Sequence, residues 1–541
     1  MNIVIIGGVA GGMSAAARLR RLDESATITV VERSGHVSFA NCGLPYHVGG
    51  VIPERSALLL QTPEALRARF ELDVRVQTEA VRIDRDRRVV VVRSLMGGSE
   101  SELPYDALVL APGARPVRPA IPGIERALAL RSVEDTDAMV AAVAGARTAV
   151  VVGGGFIGVE TAENLLHRGL AVTMVEATPQ VMAPLDPEMG APVHAALREA
   201  GIDLRLSASV TAIGERDVEL STGERVPADL VVAAIGVRPD TGLAQAAGLE
   251  IGARGGIVVD DHLRTSDPAI YAVGDAVEKA DALDGSPVLV PLANTANLQG
   301  RRVADLIAGR DVRDRPVLGT AIVGVLGLQV ATVGWNEKRL VAAGRAHRVI
   351  HTHPLSHAGY YPGAQGLALK LLVDPGTDAI LGAQAVGRDG ADKRIDVIAT
   401  AMRGGLTASD LAELELAYAP QFGSAKDPVN MLGFVDENLA SGLTDSIQWH
   451  EVEDAQRDGV TVVDVRTPEE FAAGAIPGAV NVPVDEVRDR LDEVPEGDLV
   501  VHCAVGVRAH LATRILQASG RSVRNLDGGY RTWVAGMASR S

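Results

Sequence analysis

The chain contains only two cysteines among its 541 residues, and each lies in a context that raises the question of thiol chemistry. Cys42 lies in SFANCGLPYHVGG, flanked by Asn41 and Gly43, with proline and further glycines close behind. A free cysteine is either a small buried apolar residue or a reactive thiolate, which needs a lowered pKa and an open approach. This stretch alone leaves both alternatives open.

The second cysteine, Cys503, lies between a strand pattern and a helix pattern in VVHCAVGVRAH. A turn of this kind surrounds the thiol with backbone N–H groups and places it at the positive end of a helix, and both effects stabilise a thiolate. Arg508 adds a positive charge slightly later in the chain. Two cysteines so far apart do not predict a disulfide framework, which favours a reducing compartment.

A glycine-rich motif that predicts dinucleotide binding begins at Gly153. Gly153, Gly155 and Gly158 form G-x-G-x-x-G directly after the strand pattern AVVV and directly before a helix pattern. The first glycine permits a tight turn, the second lets the backbone approach a pyrophosphate, and the third lets helix and strand pack closely. Glu176 ends the next strand pattern, where its carboxylate binds a ribose 2′-hydroxyl and repels a 2′-phosphate. The motif therefore predicts NADH, with NADPH disfavoured.

A similar arrangement occurs at the N-terminus with one departure. Gly7 and Gly12 lie in GGVAGG, and Glu32 follows the strand pattern TITVV. Val9 stands where the middle glycine of the motif belongs, which weakens the motif taken alone. The internal repeat nevertheless predicts a second nucleotide-binding unit.

The elements that must position these residues alternate Val/Ile-rich runs with amphipathic Ala/Leu/Arg-rich runs, the pattern of a parallel sheet covered by helices. From residue 316 the strand and helix patterns follow one another in blocks, which predicts an α+β domain. A small, polar stretch at 437–447 predicts a linker, and VTVVDVR opens a further α/β unit. The predicted fold class is α/β, with two Rossmann-like domains, an α+β domain and a C-terminal α/β domain.

Composition excludes several classes of protein. With 47% hydrophobic and 22% charged residues, the chain has the balance of a globular protein. A net charge of -17 argues against nucleic-acid binding but permits a local basic pocket for a small anionic ligand. No apolar run reaches the length of a membrane span, and the N-terminus reads as a strand and not as a signal peptide. We expect a cytoplasmic protein without nucleic-acid or membrane partners.

Two further segments, YDALVLAPGARP and TSDPAIYAVGDA, complete a resemblance to the FAD- and NAD(P)H-dependent disulfide reductase family over residues 1 to about 435. The resemblance implies that the first repeat binds the ADP part of FAD, that a Gly-Asp pair holds the ribityl and phosphate region, and that a later helix begins against the flavin ring. The residues so implied are Gly7, Gly12, Glu32, Gly274, Asp275 and Ala293. Two dinucleotide sites then imply a relay from NADH to flavin and onward.

Most members of that family carry Cys-x-x-x-x-Cys, whereas His47 stands at the second position here. A lone thiol beside a flavin cycles through a mixed disulfide with a small thiol or through a sulfenic acid. SFANCGLPY resembles the coenzyme A-disulfide reductase subgroup, in which one cysteine forms a mixed disulfide with coenzyme A. The rival interpretation is an NADH oxidase or peroxidase that cycles Cys42 through a sulfenic acid.

The segments YYPGA and LAYAPQFGSAKDPVN resemble the dimerisation domain of this subgroup. The resemblance implies a homodimer in which Tyr361 and Tyr418 reach the partner subunit's Cys42. There the two hydroxyls would hydrogen-bond or protonate the leaving thiolate. The resemblance therefore adds both tyrosines to the predicted catalytic residues.

The first helix pattern supplies a candidate substrate site. Ser14, Arg18 and Arg21 share one helical face, and arginines suit the phosphates of coenzyme A. In the subgroup the matching helix positions line the coenzyme A site together with Ser38 and Asn41. We therefore expect these five residues to bind the substrate.

DVRTPEEFAAGAIPGAVNVP, LDGGYRTWVAG and the Cys503 loop together resemble the rhodanese (sulfurtransferase) family over residues 448–541. In that family the cysteine carries a sulfane sulfur as a persulfide, which makes Cys503 the implied nucleophile, with Arg508 beside it. The loop is short, as suits a sulfur atom, and Asp464 and Arg466 match a structural ion pair. A non-catalytic alternative makes this domain a docking or sulfur-sensing module.

The presence of a disulfide reductase with a single thiol and a rhodanese domain in one chain predicts an NADH-dependent flavoprotein. We expect it to reduce coenzyme A disulfide, coenzyme A persulfide or polysulfide through Cys42 and to handle sulfane sulfur at Cys503. Coenzyme A is then a substrate or a bound carrier. His353 and His357 lack an accompanying cysteine or carboxylate cluster, so they are predicted to be structural and no metal is expected. The predicted domains are FAD-binding 1–115, NAD-binding 116–245, FAD-binding 246–315, dimerisation 316–436, linker 437–447 and rhodanese 448–541.

Overall fold

The computed structural model describes residues 1–540 and forms two compact units. The first unit contains Met1–Pro179 and Gly201–Gly319, and the second contains Gln180–Ala200 and the chain from Thr320 onward. Each unit contains a parallel sheet with helices, so the predicted α/β class is confirmed. The domain boundaries inside the units stay predictions.

The N-terminal sheet has five parallel strands whose apolar residues are buried on both faces, against helices on one face and mainly against an antiparallel sheet on the other. At the crossing of helices Ala10–Leu22 and Ala293–Ile307, Gly300 lies so close to the Gly11 carbonyl that a Cβ atom would collide with it. In sheet order the strands are Ile270–Ala272, Ala107–Leu110, Asn2–Ile6, Thr27–Val31 and Asp73–Arg75.

A second parallel sheet repeats the first, which confirms the internal repeat. Asn2 pairs with Thr27 in the first sheet, and Thr148 pairs with Ala171 in the second. Helix Phe156–His167 connects the second pair as helix Ala10–Leu22 connects the first. In sheet order the strands are Asp203–Arg205, Ala171–Val175, Thr148–Val152 and Leu230–Ala233.

Smaller antiparallel sheets complete the first unit. The two three-stranded sheets contain Thr78–Asp84, Val89–Ser94 and Glu100–Pro104, and Val210–Ile213, Asp217–Leu220 and Arg225–Pro227. The two-stranded pairs are Ala114–Pro116 with Val237–Pro239 and Lys279–Ala280 with Pro287–Val288. The remaining α-helices of this unit are Leu44–Val48, Pro63–Phe70, Val133–Val143 and Gly242–Ala246.

The second unit contains a five-stranded antiparallel sheet, which accounts for the predicted α+β region. In sheet order its strands are Ala321–Val325, Leu328–Gly334, Ile380–Gly387, Leu367–Val373 and Arg348–Thr352. Strand Ile380–Gly387 is buried at every residue because neighbours flank it on both sides and helix Ala391–Gly404 covers it. The helices of this part are Pro187–Glu199, Glu337–Ala342, Ala391–Gly404 and Pro428–Ala440.

The C-terminal part contains a parallel five-stranded sheet. In sheet order its strands are Asp445–Ile447, Ser522–Leu526, Asp498–His502, Thr461–Asp464 and Val480–Asn481. Its helices are Val452–Arg457, Pro468–Ala472, Val507–Ala518 and Gly529–Ser539. Within residues 1–540, none of the helices combines the length and the apolar character that a membrane crossing requires.

Candidate active sites

The first glycine turn is tight, and at two of its glycines the neighbouring backbone leaves no room for a side chain. Gly7 has a φ of +105°, and a Cβ atom there would collide with the Ala111 carbonyl. Gly12 lies equally close to the Gly7 carbonyl. The backbone N–H of Gly8 donates to the Glu32 carboxylate at 2.7 Å. This hydrogen bond holds the acidic residue beside the strand-to-helix turn, as a nucleotide-binding site requires.

Val9 is accommodated in this turn because its backbone is not left-handed. Its φ is -116°, and the φ of its counterpart Gly155 in the second repeat is -80°. Both values are open to any L residue. The departure from the motif therefore leaves the turn intact.

The second glycine turn has the same construction. Gly153 has a φ of +106°, and Gly158 lies against the Gly153 carbonyl. The N–H of Gly154 donates to the Glu176 carboxylate at 2.8 Å. A Cβ atom on Gly155 would meet no atom within 4 Å, so the turn is open on the side where a pyrophosphate would approach.

A Gly-Asp turn beyond strand Ile270–Ala272 contains an unsatisfied polar atom. The Oδ1 atom of Asp275 is buried and has no hydrogen-bond partner among residues 1–540. Burial raises the pKa of Asp275, although the buried ammonium of Lys279 opposes this. Lys279 donates to the Gly274 carbonyl at 2.8 Å, and burial lowers its pKa to about 8.

These observations fit an FAD group. A buried acceptor without a partner suits a hydroxyl of a bound cofactor, and the first glycine turn suits its pyrophosphate. The N–H of Gly274 donates to Gln299 at 2.9 Å, which ties the Gly-Asp turn to the helix that begins at the exposed Ala293. The residues predicted for FAD therefore lie on connected elements, while their binding role stays a prediction.

Cys42 lies on the short turn Asn41–Gly43, which leads directly into helix Leu44–Val48. The residue is exposed, so a substrate can approach its thiol. The turn is fixed because the Gly43 N–H donates to the Ala40 carbonyl at 2.9 Å. This arrangement meets the requirement for an open approach to the thiol.

The electrostatic surroundings of Cys42 are acidic. Although the residue is exposed, partial loss of hydration raises its pKa, and Glu160 and Asp275 raise it further. The Tyr46 hydroxyl donates to Glu160 at 3.0 Å, and burial raises the pKa of Glu160. The charges of the chain itself therefore favour the protonated thiol at Cys42.

Tyr46 and Glu160 are residues near Cys42 that the sequence alone does not identify. Two positional signals were present, since Tyr46 lies inside the Cys42 stretch and Glu160 closely follows the last glycine of the second motif. Neither signal shows that the two side chains meet. Their contact depends on how helix Leu44–Val48 packs against helix Phe156–His167.

Of the three predicted substrate residues on the first helix, two make side-chain hydrogen bonds within the protein and one is exposed. Ser14 donates to Asn297 at 2.5 Å, and Arg18 donates to Asp305 at 2.8 Å, so both already have protein partners. Arg21 is exposed. Of the two arginines, Arg21 is thus the more available for a phosphate.

Ser38 and Asn41 lie on the same loop as Cys42. The Ser38 N–H donates to the Gly8 carbonyl at 2.8 Å, which joins this loop to the first glycine turn. Asn41 is exposed and adjacent to Cys42. The role of both residues in binding a substrate stays a prediction.

Tyr361 and Tyr418 are both exposed in the second unit, and the structure adds Tyr360 to them. The hydroxyls of Tyr360 and Tyr418 lie 2.6 Å apart. The Tyr361 ring instead packs edge-on against His357, with ring centroids 5.8 Å apart. Tyr418 is therefore hydrogen-bonded to Tyr360, and not to Tyr361, which is the tyrosine predicted from the sequence.

Cys503 begins the loop between strand Asp498–His502 and helix Val507–Ala518. The residue is buried, and the Gly506 N–H donates to its Sγ at 3.2 Å. Gly506 has a φ of +98°, which lets the loop turn back over the sulfur. The sulfur of Cys503 therefore accepts one backbone hydrogen bond and lies one short loop before a helix N-terminus.

Arg508 lies beside this loop but already has a partner. Its guanidinium donates to the Glu470 carboxylate at 2.7 and 2.8 Å. This pair lowers the pKa of Glu470 to about 2 and raises the pKa of Arg508, to which Cys503 also contributes. Glu470 lies in the segment DVRTPEEFAAGAIPGAVNVP, but its residue type and position in the sequence do not show that it is the acid that meets Arg508.

The predicted structural ion pair of the C-terminal domain is confirmed. Both residues are buried, and the Arg466 guanidinium donates to the Asp464 carboxylate at 2.6 and 2.9 Å. The guanidinium also lies over the Tyr530 ring, 4.1 Å from its centroid. Such a buried, satisfied pair fixes the strand end and is not available for chemistry.

His353 and His357 make ordinary hydrogen bonds. His353 Nε2 lies 2.7 Å from Thr532 Oγ1, and burial lowers the pKa of His353 to about 3, so the ring is neutral. His357 Nδ1 lies 3.1 Å from the Ser356 hydroxyl. These contacts agree with the structural role predicted for both residues.

Comparison with known families divides the chain into three parts. The family described as pyridine nucleotide-disulphide oxidoreductase matches residues 1–300. The dimerisation domain of the same family matches residues 320–428. The rhodanese-like domain matches residues 448–536.

Individual relatives carry all or most of this arrangement. A coenzyme A disulfide reductase of Staphylococcus aureus is 34% identical over 80% of this chain and 99% of its own. The crystal structure of reduced Bacillus anthracis CoADR-RHD is 46% identical with a TM-score of 0.98, covering 100% of this chain and 98% of that one. An NAD-dependent persulfide reductase from A. fulgidus is 40% identical with a TM-score of 0.93, covering 98% of this chain and 100% of that one.

Proposed function

We propose, from the premise that this chain belongs to the pyridine nucleotide-disulphide oxidoreductase family, that it reduces coenzyme A disulfide, coenzyme A persulfide or polysulfide with NADH. Membership implies FAD and NAD(P)H as redox cofactors. The C-terminal rhodanese-like domain adds a second sulfur site to the same chain.

The observation that carries this function is the exposed, unpartnered thiol of Cys42. The only other cysteine of the chain is buried in the second unit, so the first unit has no second thiol with which to form an internal disulfide. For Cys42 to cycle through a disulfide, the substrate supplies the second sulfur. A disulfide or persulfide does so directly.

The thiolate of Cys42 attacks one sulfur of a substrate R–S–S–R′. A Cys42–S–S–R bond forms, the substrate S–S bond breaks, and R′–S⁻ leaves. When bound, FAD and NADH supply the electron pair that returns this mixed disulfide to the Cys42 thiolate and R–S⁻. The net reaction is NADH + H⁺ + R–S–S–R′ → NAD⁺ + R–SH + R′–SH, and a persulfide substrate releases hydrogen sulfide.

We propose that the chain acts as a homodimer, which the match to a dimerisation domain supports. In this dimer Tyr361 and Tyr418 would face the partner subunit's Cys42 and donate a proton to the leaving thiolate. The hydrogen bond between Tyr360 and Tyr418 supports this role, because it orients the Tyr418 hydroxyl.

We propose that Cys503 carries sulfane sulfur. Its thiolate takes the outer sulfur of a persulfide R–S–SH, so that Cys503–S–S⁻ forms and R–SH leaves. Transfer of that sulfur to the thiol of coenzyme A would produce a coenzyme A persulfide for Cys42. We place this cycle in the cytoplasm, where both free thiols stay reduced.

A substrate comparison tests the function. NADH consumption is measured under argon with coenzyme A disulfide, coenzyme A persulfide or inorganic polysulfide, and separately in air without a sulfur substrate. We expect at least one sulfur substrate to exceed oxygen by about tenfold in rate, since the proposed cycle forms a mixed disulfide at Cys42. NADH loss in air at the same rate as with the best sulfur substrate would instead establish an oxidase.

The acidic residue of the second repeat predicts the choice of nicotinamide cofactor. We expect kcat/KM for NADH to exceed that for NADPH by about 100-fold, because the Glu176 carboxylate repels a 2′-phosphate. Glu176→Gln keeps an acceptor for the ribose and removes the charge, so this ratio should fall by about tenfold.

The first repeat provides a matched control for this experiment. Glu32→Gln is the same isosteric change at the equivalent position, where the Gly8 N–H takes the place of the Gly154 N–H. It should leave the ratio of NADH to NADPH unchanged, whatever it does to flavin content. A wild-type preference for NADPH would refute the assignment of Glu176.

A further inference from the structure

A buried charge network lies in the second unit, on side chains that the proposed reactions do not use. The Lys370 ammonium is fully buried and contacts the carboxylates of Glu188 and Glu337 at 2.5 Å and of Asp186 at 3.0 Å. Burial disfavours the charged lysine, but these carboxylates outweigh it and raise the pKa of Lys370. The three acids are thus held by a lysine, and their clustering does not indicate a metal site.

His351 extends this network toward the C-terminal domain. Its Nε2 lies 3.0 Å from Glu188, and its Nδ1 lies 2.6 Å from Asp527. The His351 backbone N–H also donates to Asp527, at 3.0 Å from each carboxylate oxygen. Burial opposes the imidazolium, but Asp527 and Glu188 raise its pKa to about 9, so both ring nitrogens donate at neutral pH.

Asp527 begins the segment that supports the Cys503 loop from behind. The Tyr530 N–H donates to the Cys503 carbonyl at 2.8 Å, and the Arg531 N–H donates to the Ala504 carbonyl at 3.0 Å. Gly529 has a φ of +64°, and a Cβ atom there would collide with the backbone of this loop. A shift of the segment would therefore move the backbone that surrounds the sulfur.

We propose that His351 is a positioning residue for sulfur transfer at Cys503, acting through Asp527 and the segment 527–531. This inference rests on the proposed sulfurtransferase activity of Cys503. The ring Nδ1 of His351 makes one hydrogen bond to Asp527 and its backbone N–H makes two, and the segment after Asp527 holds the loop by two more. The loop geometry therefore depends on a side chain of the antiparallel sheet, outside the rhodanese-like domain.

The test uses the full-length flavoprotein. We expect His351→Leu to lower kcat for sulfur transfer from thiosulfate to cyanide by about tenfold with little change in KM. The reason is that the Cys503 loop would orient the sulfur poorly for reaction, while thiosulfate could still bind. His351→Asn keeps a donor toward Asp527 and should restore most of this loss. Amide hydrogen exchange at Tyr530 and Arg531 should be about tenfold faster in the leucine variant only.

His353 provides a matched control on the same chain segment. It is half-buried and also lies against the C-terminal domain, but it contacts Thr532 and not Asp527. His353→Leu removes a comparable contact and should leave kcat and the two exchange rates near the wild-type values. Equal effects of the two leucine variants would overturn the positioning role and leave only a general contribution of both histidines to packing.

Two further results keep this inference separate from the proposed function. If His351→Leu does not fold, Asp527→Asn weakens the same contact and should lower kcat and speed exchange in the same direction. Unchanged exchange in that variant would overturn the inference. Sulfur transfer that survives Cys503→Ser would overturn the proposed transferase instead, while the exchange measurement still decides whether His351 holds the loop.

Discussion

Cys42→Ser is expected to abolish the NADH-dependent reduction of coenzyme A disulfide or persulfide, with kcat lower by on the order of 10³-fold or more. The serine hydroxyl is not ionised at neutral pH and cannot form the mixed disulfide. No second thiol in the first unit is available to take its place. The loss should therefore appear in kcat for every sulfur substrate.

The measurement is NADH oxidation under argon by protein of known flavin content. Cys503→Ser is the matched control, because it makes the same substitution at the only other cysteine of the chain. This control should retain reduction of coenzyme A disulfide, which needs no sulfane sulfur carrier. Turnover by Cys42→Ser at a rate near the wild-type value would contradict the function proposed for the first unit.

Cys503→Ser is in turn expected to abolish sulfur transfer from thiosulfate to cyanide, again by on the order of 10³-fold. The serine hydroxyl is not ionised at neutral pH and cannot take up a sulfane sulfur, although the Gly506 N–H and the helix N-terminus stay in place. Mass spectrometry should detect one extra sulfur atom on the wild-type Cys503 peptide after incubation with thiosulfate.

Cys42→Ser serves as the control in this second experiment and should transfer sulfur at the wild-type rate. Hydrogen sulfide release from a persulfide adds a further distinction. If release survives Cys503→Ser but not Cys42→Ser, then Cys503 is an accessory to the reductase. Sulfur transfer to cyanide in the absence of Cys503 would refute its assignment as the nucleophile.

The parts of the fold that sequence reasoning predicted well are those fixed by local rules. Both glycine turns are built as expected, because a positive φ at Gly7 and Gly153 and the close approach at Gly12 and Gly158 depend on neighbouring residues. The strand and helix patterns around them are equally local. Even Val9, which departs from the motif, has a negative φ and so does not need the left-handed conformation that favours glycine.

The parts that it did not predict depend on contacts between distant segments. The pairs Arg508–Glu470, Tyr360–Tyr418 and His351–Asp527 each join segments that are distant in sequence and meet only after folding. Residue type and spacing identify one member of such a pair as polar or charged. They do not say which partner it meets, because that depends on the packing of the elements between them.

The first sheet has a consequence for how the protein is synthesised and dissected. Its strand Ala107–Leu110 pairs with Ile270–Ala272, and its first helix packs on Ala293–Ile307. A growing polypeptide therefore leaves a sheet edge unpaired and an apolar helix face uncovered until these late segments have emerged from the ribosome. Fragments that end before residue 270 should aggregate. A protein expressed as two fragments should be divided after residue 307, so that the first fragment contains both late segments.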